Sequence, residues 1–156
     1  YAVGDALGPS KIMLAHVAAA RACAPCAVAS GMTADGLFRR AVRIFTSPEI
    51  GCVGLTEAQA PAGRDVRTAT FQMRELGKAQ AMNELPGMFK IVSDGATGKV
   101  LGVHIAGAHA TDLIAEAGLA LRLGASVRDI AATIHAHPTL AEGLYEAALS
   151  LVEAGG

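Results

Sequence analysis

Tryptophan is absent, and aromatic residues make up only 4% of the chain. With so few rings, the interior has to be filled by small and aliphatic side chains; glycine alone occurs 18 times. Charge is also sparse. Charged residues are 17%, and 13 basic against 14 acidic groups leave a formal net charge of -1. No basic run exists, so the chain has no electrostatic footprint for nucleic acid. Three cysteines, Cys23, Cys26 and Cys52, are too few and odd in number for a disulfide scaffold, which points to a reducing cytoplasmic setting. No unbroken apolar run suggests a membrane span. Ile12 to Gly31 comes nearest, but His16, Arg21 and Pro25 interrupt it. An Arg at the centre of a span costs about 2.5–3.5 kcal/mol, so this stretch reads as a buried soluble helix. There is no internal repeat, no low-complexity linker, and no G-x-G-x-x-G loop following a strand.

What is present is apolar: 52% hydrophobic residues over 156 positions, with a mean hydropathy of +0.39. That is enough for one domain with a core, and its slight excess over an average soluble monomer suggests a buried oligomer interface. The chain opens on Tyr1 rather than Met, so something is expected to have been removed ahead of it. Gly4, Gly8 and Pro9 place a loop in 1–9. A helix is expected over 11–30, ending at Gly31, with Pro25 kinking or splitting it. Strands are expected over 41–46 and 66–73. Between them, Thr56 to Gln59 has the capping-box pattern of a short helix closed by Gly63. Met88 to Val92, the turn Asp94 to Gly98, and Lys99 to Ile105 predict a hairpin. Leu113, Ile114, Ala117 and Leu121 predict an amphipathic helix over 110–123, with Gly124 after it. Ser126 and Thr139 each open a further short helix. Helix, antiparallel sheet, then helices make an α+β fold rather than alternating βαβ units.

Titratable groups are densest in His135-Ala136-His137-Pro138-Thr139-Leu140-Ala141-Glu142. A histidine suits acid–base work near neutral pH, and Pro138 restricts the backbone after His137. Glu142, in the first helical turn, is within reach of one imidazole nitrogen, where it would fix the tautomer. The competing structural reading is a capping box from Thr139 to Glu142. The two uses of Glu142 coexist only partly, because a carboxylate engaged with a backbone N–H has less capacity for histidine. A metal reading joins His135 and His137 to His104 and His109, but no cysteine or carboxylate completes a zinc spacing, so no metal is expected. Cys23-Ala24-Pro25-Cys26 has redox spacing, yet it lies among alanines in an expected helix, where small buried residues are the simpler account. Cys52 reads as a packing residue in a strand or loop. Gly4-Asp5 fits either a sugar-hydroxyl contact or an Asx turn.

In order along the chain, these pieces resemble the C-terminal part of the pyridine-nucleotide-disulfide oxidoreductases, in particular their dihydrolipoamide dehydrogenase branch. Tyr1-Ala2-Val3-Gly4-Asp5 is similar to the family's second flavin motif, and Met13-Leu14-Ala15-His16 to the helix start against the flavin ring. Thr46-Ser47-Pro48-Glu49 and Val53-Gly54-Leu55-Thr56-Glu57 resemble the opening of its interface domain. Gly77-Lys78-Ala79, Gly87-Met88-Phe89-Lys90 and Leu101-Gly102-Val103-His104-Ile105 resemble its sheet. His135 to Glu142 resembles its catalytic stretch, in the lipoamide rather than the glutathione or mercury form.

The resemblance implies a mostly antiparallel sheet flanked by helices, the dimerisation domain of FAD/NAD-linked reductases. It assigns 37–156 to that interface domain, and 1–36, with its helix, to the end of the flavin-binding domain. It implies acid–base work on a thiol across the subunit boundary for His137, with Glu142 orienting it. It implies flavin contacts for Asp5, Met13, Leu14, Ala15 and His16. A parent enzyme would use FAD and NAD to oxidise a dithiol such as dihydrolipoamide on an acyltransferase, as a homodimer. The family's active-site disulfide, glycine-rich flavin loop and nicotinamide domain are not in this sequence, and Cys23/Cys26 is not the redox pair by position. This part alone is therefore expected to be inactive and to bind no cofactor. Two other readings are a stand-alone, non-catalytic dimerisation module and a metal- or thiol-binding protein. His137, Glu142 and Asp5 favour the enzyme, since a free module gains nothing from a flavin contact.

Overall fold

A computed structural model describes residues 41–44, 46–60 and 63–155. The expectations for 1–36, including the helix ending at Gly31, Asp5, Met13 to His16 and the Cys23/Cys26 pair, lie outside the described residues. Strands β1 (Ala41–Ile44), β2 (Glu49–Gly54), β3 (Val66–Gln72), β4 (Met88–Asp94) and β5 (Val100–Gly107) form one sheet in the order β1-β2-β5-β4-β3. Every neighbouring pair is antiparallel. Helices α1 (Gly77–Met82), α2 (Ala110–Leu123), α3 (Val127–Ala132) and α4 (Glu142–Ala154) complete the α+β fold.

The alternation of side chains along the strands decides where the core lies. Gly51, Ile105, Phe89 and Phe71 are register partners across β2, β5, β4 and β3, so they share one face. Helix α2 lies over the Gly51 end of this row and α4 over the Phe89 end. The next row, Cys52, His104, Lys90 and Thr70, points to the opposite face. There Lys90 Nζ pairs with Glu57 at 2.6 Å, and His104 Nε2 meets Leu55 O at 3.1 Å. Cys52 is half-buried, and burial pushes its thiol above its ordinary 9.0.

The expected hairpin is the centre of the sheet. Its turn is closed by Asp94, whose Oδ1 accepts from Thr97 N and Thr97 Oγ1, both at 2.8 Å. The Thr97 hydroxyl and then Arg64 hold the Asp94 carboxyl down at about 2, from 3.8. Helix α2 buries Ile114, Ala117 and Leu121, and Gly124 ends it with φ 69°. Ser126 caps α3 in a box with Asp129: Ser126 N donates to Asp129 Oδ2 at 2.7 Å, and Asp129 N to Ser126 Oγ at 3.3 Å.

Several expectations are corrected. The helix expected at Thr56 is a single 3-10 turn, Glu57–Gln59. The last helix begins at Glu142, not Thr139, because the Thr139 hydroxyl donates to Ala136 O at 2.7 Å instead of capping. Thr46, expected in the first strand, lies outside β1 in a bend, where its hydroxyl donates to Pro48 O at 2.6 Å. No strand was expected over 49–54, and Gly77-Lys78-Ala79, expected in the sheet, instead open helix α1, which turns Ala79 into the core. β2 contains Gly51 and Gly54, poor strand formers in isolation. Gly51 is required there because a Cβ would come within 3.0 Å of Ile114 Cβ.

Position 143 sets how closely α4 approaches the sheet. A Cβ on Gly143 would overlap the Phe89 ring, which is fully buried. Gly118, on α2, has open space where its Cβ would be. Gly143→Ala is therefore expected to cost about 1–3 kcal/mol through overpacking, while Gly118→Ala gains about 1 kcal/mol from helix propensity. Denaturant unfolding checks both; equal midpoints for the two variants would contradict this packing.

Candidate functional site

Between α3 and α4 the chain runs from Thr133 to Ala141 without regular secondary structure. Its shape is set by side-chain links. Thr133 Oγ1 donates to Asp129 O at 2.8 Å, and Thr139 Oγ1 to Ala136 O at 2.7 Å. Leu140 is buried in the core and anchors the end of the segment.

His137 projects from this segment with its side chain 79% exposed, while Glu142 is only 21% exposed. His137 Nδ1 is 2.8 Å from Glu142 Oε1. The other carboxylate oxygen, Oε2, accepts from Thr139 N at 2.8 Å. The expectation that these two uses of Glu142 would compete is corrected, since each oxygen serves one. Thr139 N–H, then the His137 ring, hold the Glu142 carboxyl below its ordinary 4.5 against the opposing effect of burial. Ionised Glu142 accepts from the ring, so Nδ1 carries a proton. On a neutral ring this leaves Nε2 as the base, and Nε2 has no hydrogen bond among the described residues. The pair can take up a proton at Nε2 and balance the resulting charge, as in a Ser-His-Asp triad.

The other described histidines, His104, His109 and His135, do not converge on this point. His104 is on the far face of the sheet. His109 precedes α2 with φ 58°, and its Nδ1 is 3.7 Å from Asp112 Oδ2. His135 is two residues away but turns inward, with its side chain 6% exposed and Nε2 2.9 Å from Glu116 Oε1. Among the described residues, no group of three or more His, Cys, Asp or Glu could hold a metal ion. Glu116 carried no signal in the sequence, because its partner lies 19 positions on, beyond α3.

The turn from β5 to α2 does not fit the phosphates of a flavin or nicotinamide nucleotide. Such a group needs free backbone N–H groups at a strand-to-helix turn. The turn from β5 to α2 is closed: Glu49 Oε2 takes Thr111 N at 3.1 Å and Thr111 Oγ1 at 2.7 Å. The adjoining cleft of about 380 Å³ is lined by Glu49 and Glu84, which would repel phosphate.

The model of the pyridine nucleotide-disulphide oxidoreductase dimerisation domain matches residues 40–148. The chain belongs to that family. Dihydrolipoyl dehydrogenase of Bacillus subtilis is 42% identical over 153 residues, covering 96% of this chain and 32% of that protein. The dihydrolipoyl dehydrogenase of Thermus scotoductus is 42% identical over 152 residues, covering 97% and 32%. The crystal structure of LpdA from Mycobacterium tuberculosis matches with a TM-score of 0.81 at 29% identity, over 97% of this chain and 33% of that one. RclA of Escherichia coli, an HOCl-induced flavoprotein disulfide reductase, has the same TM-score at 21% identity, over 96% of this chain and 35% of that one, and shows the fold alone. The chain thus spans about a third of the length of these curated relatives. The resemblance drawn from the sequence agrees with this family. No helix of the described residues of this dimerisation domain is long and apolar enough to cross a membrane.

Because the folded Glu142 titrates below 4.5, its ionised form stabilises the segment above that pH, and the contribution goes as pH falls through the folded value. Carboxyl ¹³C NMR is expected to give Glu142 a midpoint below 4.5. In His137→Ala that midpoint is expected to move partway back up. A midpoint that His137→Ala leaves in place would mean the pair does not form in solution.

Proposed function

We propose that this chain is the C-terminal part of a dihydrolipoyl dehydrogenase-like flavoenzyme that oxidises a dithiol and reduces NAD. Residues 37–156 supply the subunit contacts of a homodimer, and 1–36 finish the flavin-binding domain. Asp5, Met13, Leu14, Ala15 and His16 are the proposed flavin contacts. FAD and NAD belong to the parent enzyme, and no step below passes through them. The enzyme acts in the cytoplasm on a dithiol such as dihydrolipoamide carried by an acyltransferase.

The observation that carries this reading is the His137–Glu142 pair. A dithiol attacks a disulfide as its thiolate, so a base with affinity near neutral pH must first take the thiol proton. His137 Nε2 is that base. Glu142 holds Nδ1–H at 2.8 Å, which sets the tautomer and stabilises the imidazolium. The first substrate sulfur bonds to one sulfur of the enzyme disulfide and releases the other, to which His137 passes the proton; the second substrate thiol then displaces the bonded enzyme sulfur, so the dithiol leaves as a disulfide and the enzyme pair is left reduced. The disulfide it serves is on the partner subunit. A non-catalytic module would have little use for this geometry, since a pair with one largely exposed member adds little to stability.

In the full-length parent, His137→Gln is expected to lower dithiol oxidation by about 10²–10⁴-fold, the loss of one general acid–base. An unaffected rate would remove His137 from the mechanism.

A further inference from the structure

The His137 segment is joined to the rest of the domain unevenly. Its hydrogen bonds to α3 and α4 are local in sequence: Thr133 to Asp129, His137 and Thr139 to Glu142. Links of that kind hold the segment only to the two helices that flank it. Among the described residues, the side-chain hydrogen bond that reaches outside this neighbourhood is Glu116 Oε1 to His135 Nε2, at 2.9 Å across 19 residues. Glu116 lies on α2, which is packed against β2 and β5.

The protons around His135 are constrained. Its Nδ1 lies 3.0 Å from Thr133 O and its Nε2 2.9 Å from the Glu116 carboxylate. A carbonyl only accepts, and so does an ionised carboxylate. Nδ1–H donates to the carbonyl, and a proton on Nε2 lets the Glu116 carboxylate accept at the other end of the ring. The His135 side chain is 6% exposed, and the Tyr145 ring of α4 lies against it at a centroid distance of 5.9 Å. Shielding of this kind strengthens a charge-assisted bond relative to a surface pair. Ala136, which separates the two histidines, is held in turn by Thr139.

We infer that Glu116 and His135 are positioning residues, a second histidine–carboxylate pair that fastens the segment to α2 and so fixes where His137 presents Nε2. The inference rests on the acid–base reading of His137 given above. His135 does not touch the dithiol. It sets the backbone from which the base projects, and a misplacement of about 1 Å at such a group costs about 10²-fold.

The test uses the full-length parent enzyme, with free dihydrolipoamide as substrate. Glu116→Ala removes the acceptor and is expected to lower kcat by about tenfold to a hundredfold with KM for the dithiol unchanged. Glu116→Gln keeps an oxygen that accepts from His135 Nε2–H, so it is expected to restore kcat to within about threefold of the parent. His135→Ala should match Glu116→Ala, and the double variant should be no worse than either single one. His137→Gln is run beside them. If it loses activity while Glu116→Ala keeps the parental kcat, the positioning role is wrong and the acid–base reading stands. If Glu116→Gln falls as far as Glu116→Ala, or KM rises in place of the fall in kcat, the tether is likewise overturned. If His137→Gln is fully active, the acid–base reading fails and takes this inference with it.

Discussion

Everything around the His137 segment depends on how closely α4 lies against the sheet. Gly143 permits that approach by presenting no side chain to the Phe89 ring. The next residue back, Glu142, is consequently held at a fixed height above the strand, at the start of a helix whose Leu144, Ala147, Ala148 and Leu151 are buried. A carboxylate mounted on a packed helix end has little freedom left. It can therefore serve as the reference point for an exposed imidazole, which has no packing of its own.

The segment between α3 and α4 is then a strap between two rigid supports. One support is the α4 end, through Glu142 and Leu140. The other is α2, through Glu116 and His135. Helix α2 owes its own placement to Gly51 beneath it and to Glu49, which closes its first turn through Thr111. Small residues and short polar links, rather than large rings, set the spacing between layers. That is how a sequence almost without aromatic residues builds a close-packed interior.

Most of the architecture was readable because its signals are local. The hairpin from β4 to β5 announces itself by apolar runs around Asp94-Gly95, α2 by its spacing and Gly124, and α3 by Ser126 and Asp129. Where an element depends on distant neighbours, the sequence is silent. The segment Glu49-Ile50-Gly51-Cys52-Val53-Gly54 has the composition of a loop, and it becomes β2 because β5 and β1 lie on either side of it. Helix α1 is ordered by the burial of Ala79 rather than by any periodicity. Glu142 was found because its partner lies five residues back, in a motif. Glu116 was not, because nothing on α2 marks which of its polar residues meets a histidine across an intervening helix.

One feature of the sheet bears on how such a domain associates. Strand β3 lies at an end of the strand order, with no strand beyond it among the described residues. An outermost strand offers a row of backbone donors and acceptors to any extended chain that meets it, which is the usual start of fibrous aggregation. Here that strand carries Arg67, Thr68 and Thr70 in its middle, and all three are exposed. A guanidinium and two hydroxyls keep that border hydrated and poorly suited to a second strand. At this border the protein offers little to backbone pairing between copies, so a neighbouring chain meets charged and hydroxyl side chains first.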